Sequence, residues 1–239
     1  MYVMESHLAV LAAGEGNSGG HRTLAEKAFE TLHTAIITGR LRPGARLPIE
    51  ELAEHLEMSP MPIREAVRRL DAAGLVENIP HRGARVSDLS ITDLAEVYEA
   101  RIALEVLAIG RAAELFTRRH AAHAHQCLDD LVNVPDVVSA KFAGAHARFH
   151  FALYEAAGSA WLLRLIRPVW ETSERYCLQD PAALHLEARS GEHERILQFC
   201  EAADPEGAAG ALHQHLAITA NNLAAAMGSD PLYELDEAA

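Results

Sequence analysis

Cysteine is scarce in this 239-residue chain, with three residues, and so are aromatics, at 5%. Cys127, Cys177 and Cys200 are scattered. They form neither an even set nor a C-x-x-C pair, which argues against a disulfide framework or a cysteine zinc site. Such usage fits a reducing cytosol, so a cytoplasmic location is expected. Few aromatics beside abundant Ala and Leu favour packed helices over sheets. There is no run of eighteen apolar residues, so no membrane span is expected. The N-terminus lacks the Lys/Arg-rich start of a secretory signal. No helical pattern carries His-Glu-x-x-His or paired Glu-x-x-His motifs, which weighs against a metalloenzyme built in a helical bundle.

The net charge is −13, and acid in that excess argues at first against nucleic acid. The distribution qualifies this. Residues 22–86 carry ten Lys/Arg against nine Asp/Glu, whereas residues 90–239 carry eleven against twenty-two. Such asymmetry implies two domains with different partners. A near-neutral domain still binds DNA if its basic residues share a face.

Residues 1–20 end in Gly-Asn-Ser-Gly-Gly and are read as a loose tail. Over 23–39, Leu24, Ala28, Leu32, Ala35 and Ile36 recur at helical spacing. Gly39 ends that helix, and Leu41-Arg42-Pro43-Gly44 reads as a turn. Residues 49–56 form a short amphipathic segment, and Met58-Ser59-Pro60 breaks it. Ser59 suits an N-cap and Pro60 tolerates a first turn, so a second helix is expected over 61–73, with Ile63, Ala66, Val67 and Leu70 on one face. Two short helices across such a break read as helix-turn-helix. After Gly74, residues 75–79 and 83–86 read as two strands flanking a wing at Pro80-His81-Arg82-Gly83.

The stretch GRLRPGARLPIEELAEHLEMSPMPIREAVRRLDAAGLVENIPHRGARV (39–86) resembles the winged helix-turn-helix of the GntR superfamily. The resemblance implies a domain over 21–88 that binds operator DNA, with Ser59, Met61, Arg64, Arg68, His81, Arg82 and Gly83 near the duplex. An exposed arginine early in a recognition helix reaches guanine edges or phosphates. A basic wing tip with a glycine approaches the minor groove closely. Two departures stand out. Many relatives have Arg-Thr where this chain has Pro60-Met61, and arginine where it has Glu50, so an operator sequence does not carry over. Arg64 and Arg68 can also pair with nearby acids such as Glu65 and Asp71.

From Ser90 to about Met227 the chain reads as helices with short breaks. Expected spans are 91–117, 119–133, 136–157, 159–178, 181–202 and 204–227, punctuated by Pro135, Gly158-Ser159, Asp180-Pro181 and Asp204-Pro205. The fold class is therefore mainly α: an N-terminal winged helix-turn-helix plus an antiparallel six- or seven-helix bundle over 89–229, then a tail over 230–239. VYEARIALEVLAIGRAAE (97–114), HARFHFALYEAAGSAWLLRLI (146–166) and EHERILQFCEAADPEGAAGALHQHL (192–216) resemble the FCD effector domain of the FadR subfamily.

His146 and His150 lie four apart on one helix face, a spacing that can chelate one divalent ion. His193 and His215 match metal-ligand positions of the resembled domain. Neutral imidazoles suit a divalent transition metal, Zn or Ni foremost. The family pattern has Asp where this chain has His146, so a four-histidine site is softer and one unit more positive. Arg101 matches a position facing the effector cavity, where its fork suits a carboxylate. His213 is expected on the surface, as is the cluster His120, His123 and His125; Trp161, Trp170 and Tyr176 are expected in the core. The reading is thus a homodimeric DNA-binding regulator, a repressor in sense, controlled by a small organic acid bound near a metal. The rivals are a metalloenzyme, a metal sensor with the ion as effector, and a degenerate, metal-free effector domain.

Overall fold

The computed structural model describes residues 23–79, 82–135, 139–179 and 190–235. They form two compact units that divide between Leu89 and Ser90. The expected tail over 1–20 and the wing residue His81 lie outside the described residues.

The first unit opens with α1 (Leu24–Ile37), started by a reciprocal cap. The Thr23 hydroxyl accepts from the Glu26 amide at 3.1 Å, and the Glu26 carboxylate accepts from the Thr23 amide at 3.0 Å. Strand β1 (Arg46–Leu47), helix α2 (Ile49–His55) and helix α3 (Pro60–Ala72) follow. Ser59 stands at the N-cap of α3 with extended backbone, but its side chain makes no capping bond. Strands β2 (Val76–Ile79) and β3 (Gly83–Val86) close the unit as a hairpin with Asn78 opposite Ala84. The sheet order is β1-β3-β2, all antiparallel. One core unites the apolar faces of the helices with the sheet, including Leu32, Leu52, Ile63, Leu70 and Val86. It fixes α3 with its opposite face exposed.

The second unit has six helices among the described residues: α4 (Ile91–Glu114), α5 (Arg118–Val132), α6 (Ala140–Glu155), α7 (Ala160–Gln179), α8 (Ser190–Glu201) and α9 (Pro205–Ala226). Polar N-caps start several of them. Ser90 accepts from the Asp93 amide and Asp204 from the Gly207 amide. Helix α4 is central, packing against α6, α7, α8 and most extensively α9. Its buried stripe is apolar at Leu94, Val97, Ala108, Ile109 and Ala112 but holds Arg101 and Glu105 midway. A charged pair inside an otherwise apolar stripe marks where the site lies.

Two expectations need correction. Trp161, expected in the core, is 69% exposed, with the Arg164 guanidinium over its ring. The stretch after residue 229, read as a tail, is held as far as it is described: the Asn221 side chain accepts from the Leu232 and Tyr233 amides and donates to the Tyr233 carbonyl.

Candidate functional site

In the first unit, Met61, Arg64 and Arg68 recur at three and four residues along α3 and share its exposed face. Met61 is 73% exposed, unusual for an apolar side chain and available to a thymine methyl. Arg64 pairs with Glu50 of α2 at 2.9 Å, and Arg68 grips Glu65 with two nitrogens. These pairs are exposed, and each guanidinium keeps further N–H donors beside those given to its carboxylate. Arg69 turns away, its guanidinium 4.0 Å from the Phe29 ring of α1. At the wing, Arg82 is exposed and Gly83 has φ +82°, a backbone state that glycine adopts without strain.

In the second unit, the four histidines singled out by the sequence converge. His146 and His150 come from α6, His193 from α8 and His215 from α9, and one ligand nitrogen from each lies within 4.8 Å of the others. The His146 Nε2 is central, 3.1 Å from His150 Nε2 and 3.2 Å from His193 Nε2. Two nitrogens bound to one zinc at about 2.0–2.1 Å in a tetrahedron stand roughly 3.3 Å apart, so the spacing suits a shared ion. His150, His193 and His215 are buried, and His146 is partly so.

Outer partners fix the ring orientations. Tyr154 donates to Glu105 at 2.6 Å, so its oxygen accepts from His150 Nδ1 at 3.2 Å. That leaves the Nε2 lone pair of His150 facing the cluster. Glu192 lies 2.7 Å from His215 Nδ1 and accepts a hydrogen bond from it, which leaves Nε2 as the nitrogen with a lone pair able to bind a metal. This carboxylate–imidazole arrangement orients rings in metal sites. Helix α8 thus supplies both one of the clustered imidazoles, His193, and the group that orients His215. Burial, with the facing imidazoles and Arg101 adding to it, holds His150 well below the ordinary histidine range. Its neutral, ligating form therefore persists. Tyr154 is pushed above its usual range by burial and then by Glu105, so it stays a donor.

Arg101 is buried. Its Nε donates to Glu105 at 2.6 Å, Nη2 to Glu105 at 3.2 Å and Nη1 to Ser173 at 3.0 Å. Burial opposes its charge, but Glu105 outweighs that and holds the guanidinium protonated. Three of five N–H groups are used, leaving two. Trp170 joins the two parts of the site: its ring lies 4.4 Å from the Arg101 guanidinium and 5.1 Å from the His150 ring. Its indole Nε1 is buried with no hydrogen-bond partner among the described residues. One turn further along α7, burial pushes the Glu174 carboxyl up to about 7. His213 is exposed, as are His123 and His125, and His125 pairs with Glu201.

Comparison with known proteins decides what this architecture is. The family described as "Bacterial regulatory proteins, gntR family" matches residues 24–86, and the FCD domain matches residues 96–218. The chain belongs to the GntR family and carries an FCD domain. A GntR-family relative, the "Probable D-xylose utilization operon transcriptional repressor" of Paenarthrobacter nicotinovorans, is 33% identical over 82% of this chain and 86% of its own. The "Uncharacterized HTH-type transcriptional regulator BphR" of Paraburkholderia xenovorans (strain LB400) is 32% identical, covering 82% and 83% respectively. Among solved structures, E. coli McbR/YncC aligns with a TM-score of 0.70 at 25% identity over 82% of this chain and 94% of that one. These GntR relatives are transcription regulators, not enzymes. No described helix is long and apolar enough to cross a membrane.

Sequence reasoning missed Glu50, Tyr154 and Glu192 as parts of these sites. Tyr154 carried a usable signal: it stands four residues after His150, on the same helix face. Glu50 and Arg64 are fourteen residues apart on different helices, and only the fold pairs them.

Proposed function

We propose that this regulator is a homodimeric repressor whose grip on operator DNA is controlled by a small organic acid, bound beside a divalent transition metal in the helical unit. The observation that carries the reading is the convergence of four imidazoles, two of them oriented by Tyr154 and Glu192. His146, His150, His193 and His215 would hold the ion, with zinc or nickel suited to four neutral nitrogens. Bound there, it would supply Lewis acidity toward an effector carboxylate. Arg101 would add its charge, and its two remaining N–H groups are available to the same carboxylate. Because Arg101 is already gripped by Glu105, its chief contribution is to hold Glu105, which holds Tyr154, which orients His150.

On the DNA side, Arg64 and Arg68 would read or clamp the duplex from α3, with Ser59 and Met61 at its start and Arg82 and Gly83 on the wing. His81, proposed with them from the sequence, lies outside the described residues. Two-fold pairing follows from the need to read half-sites one helical turn apart. An effector that binds the two states of the regulator unequally shifts its DNA affinity by that difference.

The test uses duplexes selected from a random library by the wild type. Affinity is measured for metal-loaded and chelated protein, with and without a panel of small mono-, di- and tricarboxylates. The proposal expects a carboxylate that weakens DNA binding only when metal is present. Metal alone changing affinity, with no carboxylate effect, favours the sensor reading instead; no response to either overturns both.

A further inference from the structure

Three arginines of the winged unit are matched by carboxylates. Arg64 is held by Glu50, Arg68 by Glu65, and on β3 Arg85 reaches Glu77 and Asp88. Three others are not. Arg42 lies in the turn after α1, Arg46 on β1 and Arg82 at the foot of the wing, and all three are exposed and form no ion pair among the described residues. They line one groove of about 520 Å³, backed by buried Leu47 and Ala84, with Glu51 as the single carboxylate among its lining residues. The sheet makes the groove. Strand β1 pairs with β3 so that Arg46 stands opposite Arg85 and Leu47 opposite Ala84. That pairing brings residues 42 to 46 beside residue 82, forty positions away in sequence.

We propose that this groove holds the sugar–phosphate backbone of the DNA, with Arg42 and Arg46 as anchoring contacts beside Arg82. The inference rests on the DNA-binding role of the winged helix-turn-helix. In that arrangement a recognition helix enters the major groove and a wing tip approaches the neighbouring minor groove. A ridge of phosphates separates those two grooves, so it must pass between α3 and the wing. The groove is bordered by the first turn of α2, the helix that precedes α3, on one side and by Arg82 and Gly83 of the wing on the other, so it flanks the wing along which that ridge runs. Guanidinium forks match phosphate oxygens two at a time. A carboxylate partner offsets part of an arginine's charge toward a phosphate, whereas Arg42, Arg46 and Arg82 have no such partner among the described residues. The division of labour follows: the groove sets sequence-independent affinity and Arg64 sets discrimination.

The experiment compares full-length wild type with Arg42→Gln/Arg46→Gln and with Arg64→Ala. All three bind a short mixed-sequence duplex and a library-selected duplex over a range of KCl concentrations, followed by fluorescence anisotropy. Because the substituted groove residues are exposed, circular dichroism and melting should match wild type. Each lost phosphate contact lowers the slope of log K against log[KCl] by about 0.9. The double variant should therefore lose roughly 1.8 per chain and weaken both duplexes by the same factor. Arg64→Ala should instead bring the two duplexes closer in affinity. An unchanged slope in the double variant, or a loss confined to the selected duplex, overturns the proposal. So does saturable binding of inorganic phosphate that is lost in the double variant while the slope stays at the wild-type value, since that assigns the groove to a free anion.

Discussion

Glu50 illustrates how one side chain changes what its neighbour does. Where many relatives carry an arginine, this chain places a carboxylate 2.9 Å from Arg64. A fork held in one direction meets a base edge with less freedom to lose. Glu50→Gln should bind mixed-sequence DNA more tightly, because a negative charge is gone, yet discriminate a selected duplex less well, by about 1 kcal/mol or roughly fivefold. Equal gains on both duplexes would show Glu50 to be a repulsive charge only. In the helical unit, Tyr154→Phe keeps the ring but removes the hydroxyl between His150 and Glu105. Metal affinity, measured by competition with a chromophoric chelator, should fall about 10–100-fold without unfolding. An unchanged affinity would mean that the Tyr154 bond does not orient His150. The clustered histidines themselves were legible in the sequence: His146 and His150 from their spacing, His193 and His215 from the resemblance. Their outer partners were not, because the identity of a hydrogen-bond acceptor depends on which helices pack together.

At the scale of elements, the helices were readable because polar caps and Gly or Pro breaks bound them. The expected span 204–227 is observed as Pro205–Ala226, and 119–133 as Arg118–Val132. Strand β1 was not foreseen: two residues are too few to show alternation, and the strand exists through its pairing with β3. The junction of α8 and α9 gives a direct test of packing. A Cβ on Gly207 would overlap the Phe199 ring and lie 2.5 Å from the Asp204 carboxylate that caps α9. Gly207→Ala must displace the ring, the cap or both. It should cost about 1–3 kcal/mol in denaturant unfolding. A stability equal to wild type would show that Phe199 moves aside freely.

The whole molecule divides its chemistry between its units. Acid is concentrated in the helical half, while the winged half holds nearly balanced charge, with Arg42, Arg46 and Arg82 lining one groove. The charge asymmetry is plain from composition along the chain. Which apolar residues stay outside is not, as Trp161 shows, because periodicity reports the face a helix buries only when that face is clearly the more apolar. The central claim is that four histidines of the helical unit hold one metal ion. Metal binding requires their neutral forms, and burial holds His150 below the ordinary histidine range, so occupancy should be full at pH 7.5 and fall only once the pH is well below about 6.5. The most direct measurement is metal content by mass spectrometry of untagged wild type beside His150→Ala and His193→Ala, at both ends of that range. One ion per chain in wild type at the higher pH, lost in both variants and on acidification, is the predicted result. No ion in wild type even after incubation with zinc or nickel, or an ion retained in both variants, would contradict it.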